Sequence, residues 1–391
     1  MSPAEAGGGE PVAGSAPGRP RVVLAPNAFK GSLDALGVAL AVGTGIARTR
    51  PDACLDLLPV ADGGDGTVEA ALAAGFDSVP VHVAGPTGEP VDARWARRGS
   101  SAVVEMAETC GLALLPGGVP APGTATSRGL GEAVRSALDA GCTEVVLGIG
   151  GSASTDGGAG FLAALGGQFL DSRGRPLPDG GAALADLEAV DLTGLHPALA
   201  EARVVVACDV DNPLLGTDGA AAVYGPQKGI TPDQVPVLDA GLARLVALVP
   251  DGDGLAARPG AGAAGGVGFA ALLLGAELAP GIDLVLDLIG FDTVVAGADL
   301  VVTGEGSLDA QSLHGKAPVG VASRAARHGV PVVAVCGRRD LTDADLGAAG
   351  IGAAHALLDL DPDVARCIAD PVPLLERLGA RVAADRLPPA F

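Results

Sequence analysis

Residues 143–161 read TEVVLGIGGSASTDGGAGF, and this stretch indicates the fold of the whole chain. The apolar run at residues 145–149 is typical of a buried strand, and it ends in glycines and hydroxyl side chains before a helix begins. The backbone amides of such a strand, glycine turn and helix start can bind an anion such as a phosphate. The same pattern is also typical of a tight strand-to-helix turn, so other parts of the chain have to distinguish the two interpretations.

The composition indicates an α/β protein of two domains. The chain has 391 residues, more than one ordinary core needs, and 48% are hydrophobic although only 2% are aromatic. Val, Leu and Ala must therefore fill the core, as they do between helices and a parallel sheet. The six cysteines and five histidines show no spacing typical of zinc sites or disulfides.

The charge and the N-terminus exclude several partner classes. A net charge of −21 disfavours binding to nucleic acid and to anionic membrane surfaces. The first residues, MSPAEAGGGEPVAGSAPGRP, show neither an apolar nor an amphipathic targeting pattern. We therefore predict a disordered N-terminal tail over residues 1–20 and a cytoplasmic location.

Lysine is rare in this chain, and every lysine lies in a glycine-containing motif. Of the 25 basic residues only three are lysines, namely Lys30 in NAFKGS, Lys228 in GPQKGI and Lys316 in LHGKAP. A compact ammonium group next to exposed backbone amides is a common way to hold phosphate oxygens. Surface lysines without a function would be scattered over charged helical faces. We therefore predict that at least two of the three bind an anion.

The chain begins with two strand–loop–helix units. The loop after the predicted strand at residues 21–25 lacks GxGxxG, which disfavours a nicotinamide dehydrogenase. The second predicted strand, residues 55–60, leads to Asp62 and Asp65 in a glycine turn. Two carboxylates there suit a metal or a substrate hydroxyl, while the alternative is that Asp65 caps the following helix.

A second carboxylate pair follows the predicted strand at residues 203–207. Asp209 and Asp211 are two positions apart, so in an extended chain both carboxylates point to one side and can share a cation. They would otherwise belong to an Asp-rich turn before Pro213.

The order of these elements predicts a discontinuous domain. Residues 78–107 alternate polar and apolar as an antiparallel meander, and strand–turn–helix units return after residue 298 with Glu305 and Asp309 in the turn. The predicted fold is α/β, with a Rossmann-like or flavodoxin-like parallel-sheet domain from residues 21–75 and 291–391 and an inserted α/β domain with a mixed sheet from residues 76–290. We expect ligands in the cleft between the domains.

Five motifs, in this order and spacing, resemble the bacterial glycerate kinase family of the glycerate 2-kinase type. They are APNAFKGSL, PVADGGDGT, GIGGSASTDGGAG, DVDNPLLGTDGAAAVYGPQKG and TGEGSLDAQSLHGKAP, and the similarity extends from about residue 21 to the C-terminus. The resemblance implies ATP-dependent phosphorylation of glycerate, with 2-phosphoglycerate favoured as the product and ADP released. Two positions depart from the family pattern, because Asn27 stands where Asp is common and Thr155 where Asn is common. Asn27 cannot act as a base.

Phosphoryl transfer gives each motif an expected role. Lys30 and Lys316 would hold the glycerate carboxylate or the transferred phosphoryl group. Asp62 or Asp65 is the expected general base, followed by Asp209, and His314 ranks below these aspartates. The nucleotide would bind through Gly150, Gly151, Ser152, Ser154, Asp156, Gly157 and Lys228, with Asp156 either reaching the metal or capping the next helix. Mg²⁺ would bind at Asp211, Asp209, Glu305 or Asp309.

Two other function classes stay open at this point. One is a kinase for another small hydroxy acid, because a phosphate-binding loop does not choose the acceptor. The other is a non-catalytic protein that binds a nucleotide or an organic acid, although carboxylates beside bound anions are unfavourable unless a metal or a proton transfer needs them. The expected partners are glycerate and ATP with Mg²⁺, without nucleic acid or membrane, and a homodimer stays open.

Overall fold

The structure is a computed structural model that describes residues 19–313 and 316–389. Its strands are β1 (Arg21–Pro26), β2 (Cys54–Leu57), β3 (Asp77–Ala84), β4 (Pro90–Arg98), β5 (Ser101–Glu105), β6 (Glu144–Gly148), β7 (Gln168–Leu170), β8 (Ala189–Asp191), β9 (Arg203–Ala207), β10 (Glu277–Ala279), β11 (Leu300–Leu308), β12 (Val332–Arg339) and β13 (Ala353–Ala356). Its α-helices are α1 (Ala35–Thr49), α2 (Thr67–Ala73), α3 (Met106–Cys110), α4 (Arg128–Asp139), α5 (Ala159–Ala164), α6 (Ala220–Tyr224), α7 (Val235–Ala247), α8 (Gly252–Ala256), α9 (Val267–Leu273), α10 (Gly281–Leu288), α11 (Phe291–Val295), α12 (Ala317–Arg327), α13 (Asp343–Ala348), α14 (Val364–Ala369) and α15 (Val372–Arg386).

The first sheet has the strand order of a flavodoxin-like fold. Its strands are all parallel and lie in the order β13-β12-β11-β1-β2. Counted along the chain, this is the order 2-1-3-4-5, and the direction of strand addition switches between β1 and β11. The pairing of these two strands reaches Pro26 with Gly304, so Asn27 and Glu305 follow as neighbours at their carboxyl ends. Ligands of such folds bind at this switch point.

The second sheet comes from the middle of the chain and is mixed. Its order is β10-β9-β6-β5-β4-β3, in which β3, β4 and β5 pair antiparallel as the predicted meander and the remaining pairs are parallel. A small antiparallel sheet of β7 and β8 lies beside it. The predicted fold class is confirmed, since a parallel sheet from both chain ends accompanies a mixed sheet from the middle.

Near residue 280 the chain passes from the hydrophobic core of the second sheet to that of the first. Side chains of α10, among them Ile282, Val285 and Leu286, belong to the core of the first sheet together with Val301. The predicted domain limits, residues 21–75 and 291–391 for one domain and 76–290 for the other, stay predictions. Most of the predicted N-terminal tail, residues 1–18, lies outside the described residues. Across residues 19–313 and 316–389, none of the helices combines the length and the apolar character that a membrane span requires.

The two sheets meet through glycine backbones. A Cβ atom on Gly63, where φ is +81°, would lie 2.4 Å from the Cβ of Ala207 at the end of β9. A Cβ on Gly150 would lie 2.5 Å from the Cα of Gly64. Contacts this close require hydrogen in place of a side chain. The loop after β2 is therefore held directly against the loop after β6, and both open on one cleft.

Candidate active site

A first cavity lies at the carboxyl ends of β1, β11 and β12, where the strand order switches. Its volume is about 400 Å³. Its polar lining consists of Asn27, Lys30, Ser32, Asp62, Glu305, Ser307, Lys316 and Arg338. The structure thus brings together two of the three lysines, one predicted metal ligand and one predicted base from both ends of the chain.

Glu305 is the buried carboxylate of the first cavity. Its side chain accepts a hydrogen bond from the hydroxyl of Ser312. Burial raises the pKa of the Glu305 carboxyl, while the Ser312 hydrogen bond and the positive charge of Lys316 oppose that rise. The ammonium group of Lys316 is therefore near enough to act on this carboxylate electrostatically.

A second cavity, of about 380 Å³, lies between the two domains. Its lining includes Asp65, Gly150, Gly151, Ser152, Asp209 and Tyr224. Lys30 and Asp62 line both cavities, so the two spaces are adjacent. Two small molecules bound in the two cavities would meet beside Lys30 and Asp62.

Asp209 has the surroundings of a proton acceptor. Its Oδ1 accepts a hydrogen bond of 2.8 Å from the backbone N–H of Gly281, which fixes the carboxylate at the edge of the cleft. The protein around it raises the pKa of the Asp209 carboxyl, the Gly281 hydrogen bond opposes the rise, and the negative charge of Asp62 adds to it. A carboxylate with a raised pKa is a stronger base than an ordinary aspartate.

Glu105 holds the loop that carries Asp62 and Asp65. This residue ends β5 in the second sheet and is only 2% exposed. Its carboxylate accepts hydrogen bonds from the backbone N–H groups of Gly66, at 2.9 Å, and Val68, at 2.8 Å. These are unpaired donors of the first turn of α2, so Glu105 caps that helix from another part of the chain. Burial raises the pKa of Glu105 to about 7. No sequence motif indicated this residue.

Only the beginning of the glycine loop faces the cleft. Gly150, Gly151 and Ser152 line the second cavity, but the side chain of Asp156 is fully buried. Asp156 accepts hydrogen bonds from the N–H and hydroxyl of Ser127 and from the N–H groups of Gly158 and Gly160. All of these donors belong to the protein itself, and they favour the alternative in which Asp156 fixes the start of α5.

Three other residues expected at the nucleotide lie beneath the surface. Lys228 is 1% exposed, and its Nζ donates a hydrogen bond of 2.6 Å to the carbonyl of Ser154. Burial lowers the pKa of Lys228 to about 7. Ser154 is fully buried as well, and a Cβ on Gly157 would lie 2.7 Å from Leu245. These positions disagree with the expectation that Lys228, Ser154 and Gly157 contact a ligand, because Lys228 and Ser154 are buried against each other and Gly157 is packed against α7.

Two of the predicted metal ligands lie away from the cavities. Neither Asp211 nor Asp309 belongs to the described residues that line the two cavities. Asp211 is exposed, and Asp309 accepts a hydrogen bond of 2.9 Å from the N–H of Gln311. β9 ends at Ala207, so Asp209 and Asp211 follow the strand and do not belong to it, and a cation shared by both carboxylates stays a prediction. Within residues 19–313 and 316–389, no three His, Cys, Asp or Glu side chains converge as a metal site. His314 lies outside the described residues.

Comparison with known proteins identifies the family of this chain. A sequence profile described as the glycerate kinase family matches residues 22–386. The chain belongs to the glycerate kinase family. The match covers both sheets and every motif that contributes to the two cavities.

Members of the family with curated names support the assignment. The chain is 46% identical over 323 residues to "Glycerate kinase" of Bacillus subtilis, which covers 81% of this chain and 85% of the relative. It is 42% identical over 348 residues to "Glycerate 2-kinase" of Escherichia coli, covering 86% and 90%. A crystal structure described as that of a glycerate kinase 2 from Salmonella typhimurium LT2 superposes with a TM-score of 0.80 at 40% identity, covering 94% of this chain and 98% of that one.

Proposed function

We propose that this member of the family is a glycerate kinase that transfers the γ-phosphoryl group of ATP to the 2-hydroxyl of glycerate. The observation that carries the proposal is the pair of adjacent cavities that share Lys30 and Asp62. A phosphotransferase has to hold a donor and an acceptor next to each other, with a cation and a base where they meet. A cytoplasmic location is part of this proposal.

Asp209 is the proposed general base. Its carboxylate takes the proton of the glycerate hydroxyl as the hydroxyl oxygen bonds to the γ-phosphorus and the bond from that phosphorus to the β,γ-bridging oxygen breaks, releasing ADP. The raised pKa of Asp209 supports this role, and Asp62 and Asp65, which line the same cavity, are the alternatives.

Lys30 and Lys316 are the cations proposed to act on the phosphates, in a cavity that Arg338 also lines. Both line the first cavity, and Lys30 also borders the second. Cations placed before the reaction stabilise negative charge that spreads over the transferred phosphoryl group. Lys30 is therefore the proposed contact of the moving group, and Lys316 the proposed contact of the donor phosphates.

The residues of the cleft fit a magnesium ion that arrives with the nucleotide. Mg²⁺ in kinases is commonly bound by one or two carboxylates together with substrate phosphates, so a cage of protein ligands is not required. Asp62 and Glu305 border the first cavity beside the two lysines and would hold the ion. When bound, Mg²⁺ neutralises charge on the phosphate oxygens.

The proposal is tested by measuring ADP release with ATP, Mg²⁺ and D-glycerate, followed by phosphorus NMR of the product. ADP release with 2-phosphoglycerate as the product is expected. Release only with another hydroxy acid would exclude glycerate and keep the kinase class, and a lack of release with any hydroxy acid would exclude a kinase.

The base is tested separately with Asp209→Asn, which keeps an oxygen for the N–H of Gly281. We expect kcat to fall by about 10²–10⁴-fold. The matched control is Asp233→Asn, which changes an exposed aspartate and should leave kcat unchanged. Equal rates in the two variants would transfer the role to Asp62 or Asp65.

A further inference from the structure

The first cavity has an apolar end that phosphoryl transfer does not explain. Besides its polar residues it is lined by Phe29, Leu357, Leu358, Val364 and Ile368. Phe29 and Leu357 are buried and form its floor. Val364 and Ile368 form its rim, and they are 54% and 51% exposed.

Two exposed aliphatic side chains on one rim indicate an apolar ligand. Val364 and Ile368 are four residues apart on α14, so they lie on the same face of the helix. Single exposed aliphatic residues are ordinary on protein surfaces, but a pair that borders a cavity with an apolar floor provides a continuous surface for a flat apolar group.

We infer that this apolar end binds the adenine base of the nucleotide, and that the second cavity, including the start of the glycine loop, binds the acceptor. The inference rests on the proposed function. It differs from the sequence-based expectation, which placed the nucleotide on the glycine loop at residues 150–158.

Chemical character assigns the two substrates to the two cavities. Every carbon of glycerate carries oxygen, so glycerate has no apolar surface to place against Leu358, Val364 and Ile368. A purine has two apolar faces, and its burial against aliphatic side chains is favourable. The second cavity offers Asp209 as an acceptor for a hydroxyl of the acid, and Lys30, the hydroxyl of Ser152 and the backbone of Gly151 for its carboxylate.

The position of the first cavity supports the same assignment. It lies at the switch point between β1 and β11, where sheets of this strand order bind their ligands. A nucleotide with its base on α14 would direct its phosphates toward Lys316 and Lys30, and Lys30 borders the second cavity. The γ-phosphate would then lie at the junction, beside the acceptor.

The test compares the double variant Val364→Ser/Ile368→Ser with the control Val237→Ser. Val237 is 57% exposed on α7 of the second domain, so the control removes an equally exposed valine far from the cavity. We expect the Kd for ADP, measured by calorimetry, and the KM for ATP to rise at least tenfold in the double variant, with the KM for D-glycerate within twofold of wild type. An unchanged Kd for ADP in the folded double variant, or a rise confined to the KM for D-glycerate, would overturn the inference.

Hydrogen exchange on the unmodified chain gives a second measurement that needs no variant. ADP is expected to slow exchange in Val364–Ala369, and D-glycerate in residues 150–152. The reverse pattern would overturn the inference. Neither ADP binding nor its exchange pattern requires turnover, so protection of α14 by ADP without phosphorylation of D-glycerate would refute the proposed acceptor and leave the adenine site supported.

Discussion

Gly150→Ala tests whether the two domains must touch at their glycine loops for the enzyme to work. The new Cβ would lie 2.5 Å from the Cα of Gly64, whereas ordinary contacts begin at 3.4 Å. The two backbones therefore have to separate by roughly 1 Å, because neither has a side chain that could rotate away. No positive φ is involved at Gly150, so the perturbation is purely steric.

The separation predicts two measurable effects. Overpacking of this size costs about 1–3 kcal/mol of unfolding free energy. It also moves the loop of Asp62 and Asp65 relative to Ser152 and Asp209, and a displacement of about 1 Å between reacting groups lowers the rate by about 10²-fold. Urea unfolding measures the first effect, and steady-state ADP release with D-glycerate measures the second.

Gly347→Ala on α13 is the matched control. No atom lies within 4 Å of its added Cβ, and a helical alanine is favoured over glycine by up to about 1 kcal/mol. This variant should keep the wild-type rate and be equally or slightly more stable. If Gly150→Ala also kept the wild-type rate and stability, close contact of the two loops would not be required and the explanation of these glycines would be wrong.

Three further variants test single residues. Lys316→Ala should lower kcat by at least about 10²-fold with an unchanged melting temperature, because it removes the cation proposed to contact the donor phosphates. The control is Arg327→Ala, which changes an exposed residue at the last position of α12. Equal rates in the two variants would remove Lys316 from the site. Asp156→Ala should lower the free energy of urea unfolding by about 3–5 kcal/mol, because it leaves buried donors unpaired. The control Asp233→Ala changes an exposed aspartate and should alter this free energy by less than about 0.5 kcal/mol. A similar value for both variants would contradict the structural role of Asp156. The folded-state pKa of Glu105 is raised from 4.5 to about 7, so the folded protein binds more protons between these values and its stability falls as pH rises through them, by roughly 3 kcal/mol at most. Glu105→Gln should remove this slope from a series of urea titrations at pH 4.5 to 7.5, and an unchanged slope would assign it to another group.

The sequence was sufficient for the fold class because the longer strands of both sheets carry a local signal, although the three-residue strands β8 and β10 were not predicted. The apolar runs, the glycine turns and the period-two meander each depend on neighbouring residues, and β6 and α5 formed where the opening stretch predicted them. The return of strand–turn–helix units after the middle region also predicted a sheet built from both chain ends. These features require no knowledge of which loops meet.

The site was predicted less completely, because access to a cleft is a property of distant packing. Lys30 and Lys228 have the same glycine-flanked surroundings in the sequence, yet one borders both cavities and the other is buried under the glycine loop. Leu242 and Leu245 of α7 cover Gly157, and no local pattern reveals that contact. The role of Glu105 could not be predicted for a related reason, because it accepts hydrogen bonds from N–H groups of a helix that precedes it by more than thirty residues.

The split origin of the first sheet has a consequence for how the chain folds during synthesis. β1 pairs with β11 in a register that runs from Val22 opposite Leu300 to Pro26 opposite Gly304, so its central partner is synthesised only after every strand of the second sheet. The second sheet joins strands that are closer in sequence and can form first. The apolar side chains of β1 and β2 stay exposed to solvent until β11 has been synthesised. A chain truncated before residue 300 would therefore lack β11, β12 and β13 and could not complete the parallel sheet, and Val22, Val23 and Leu24, which are buried in the whole structure, would be open to aggregation.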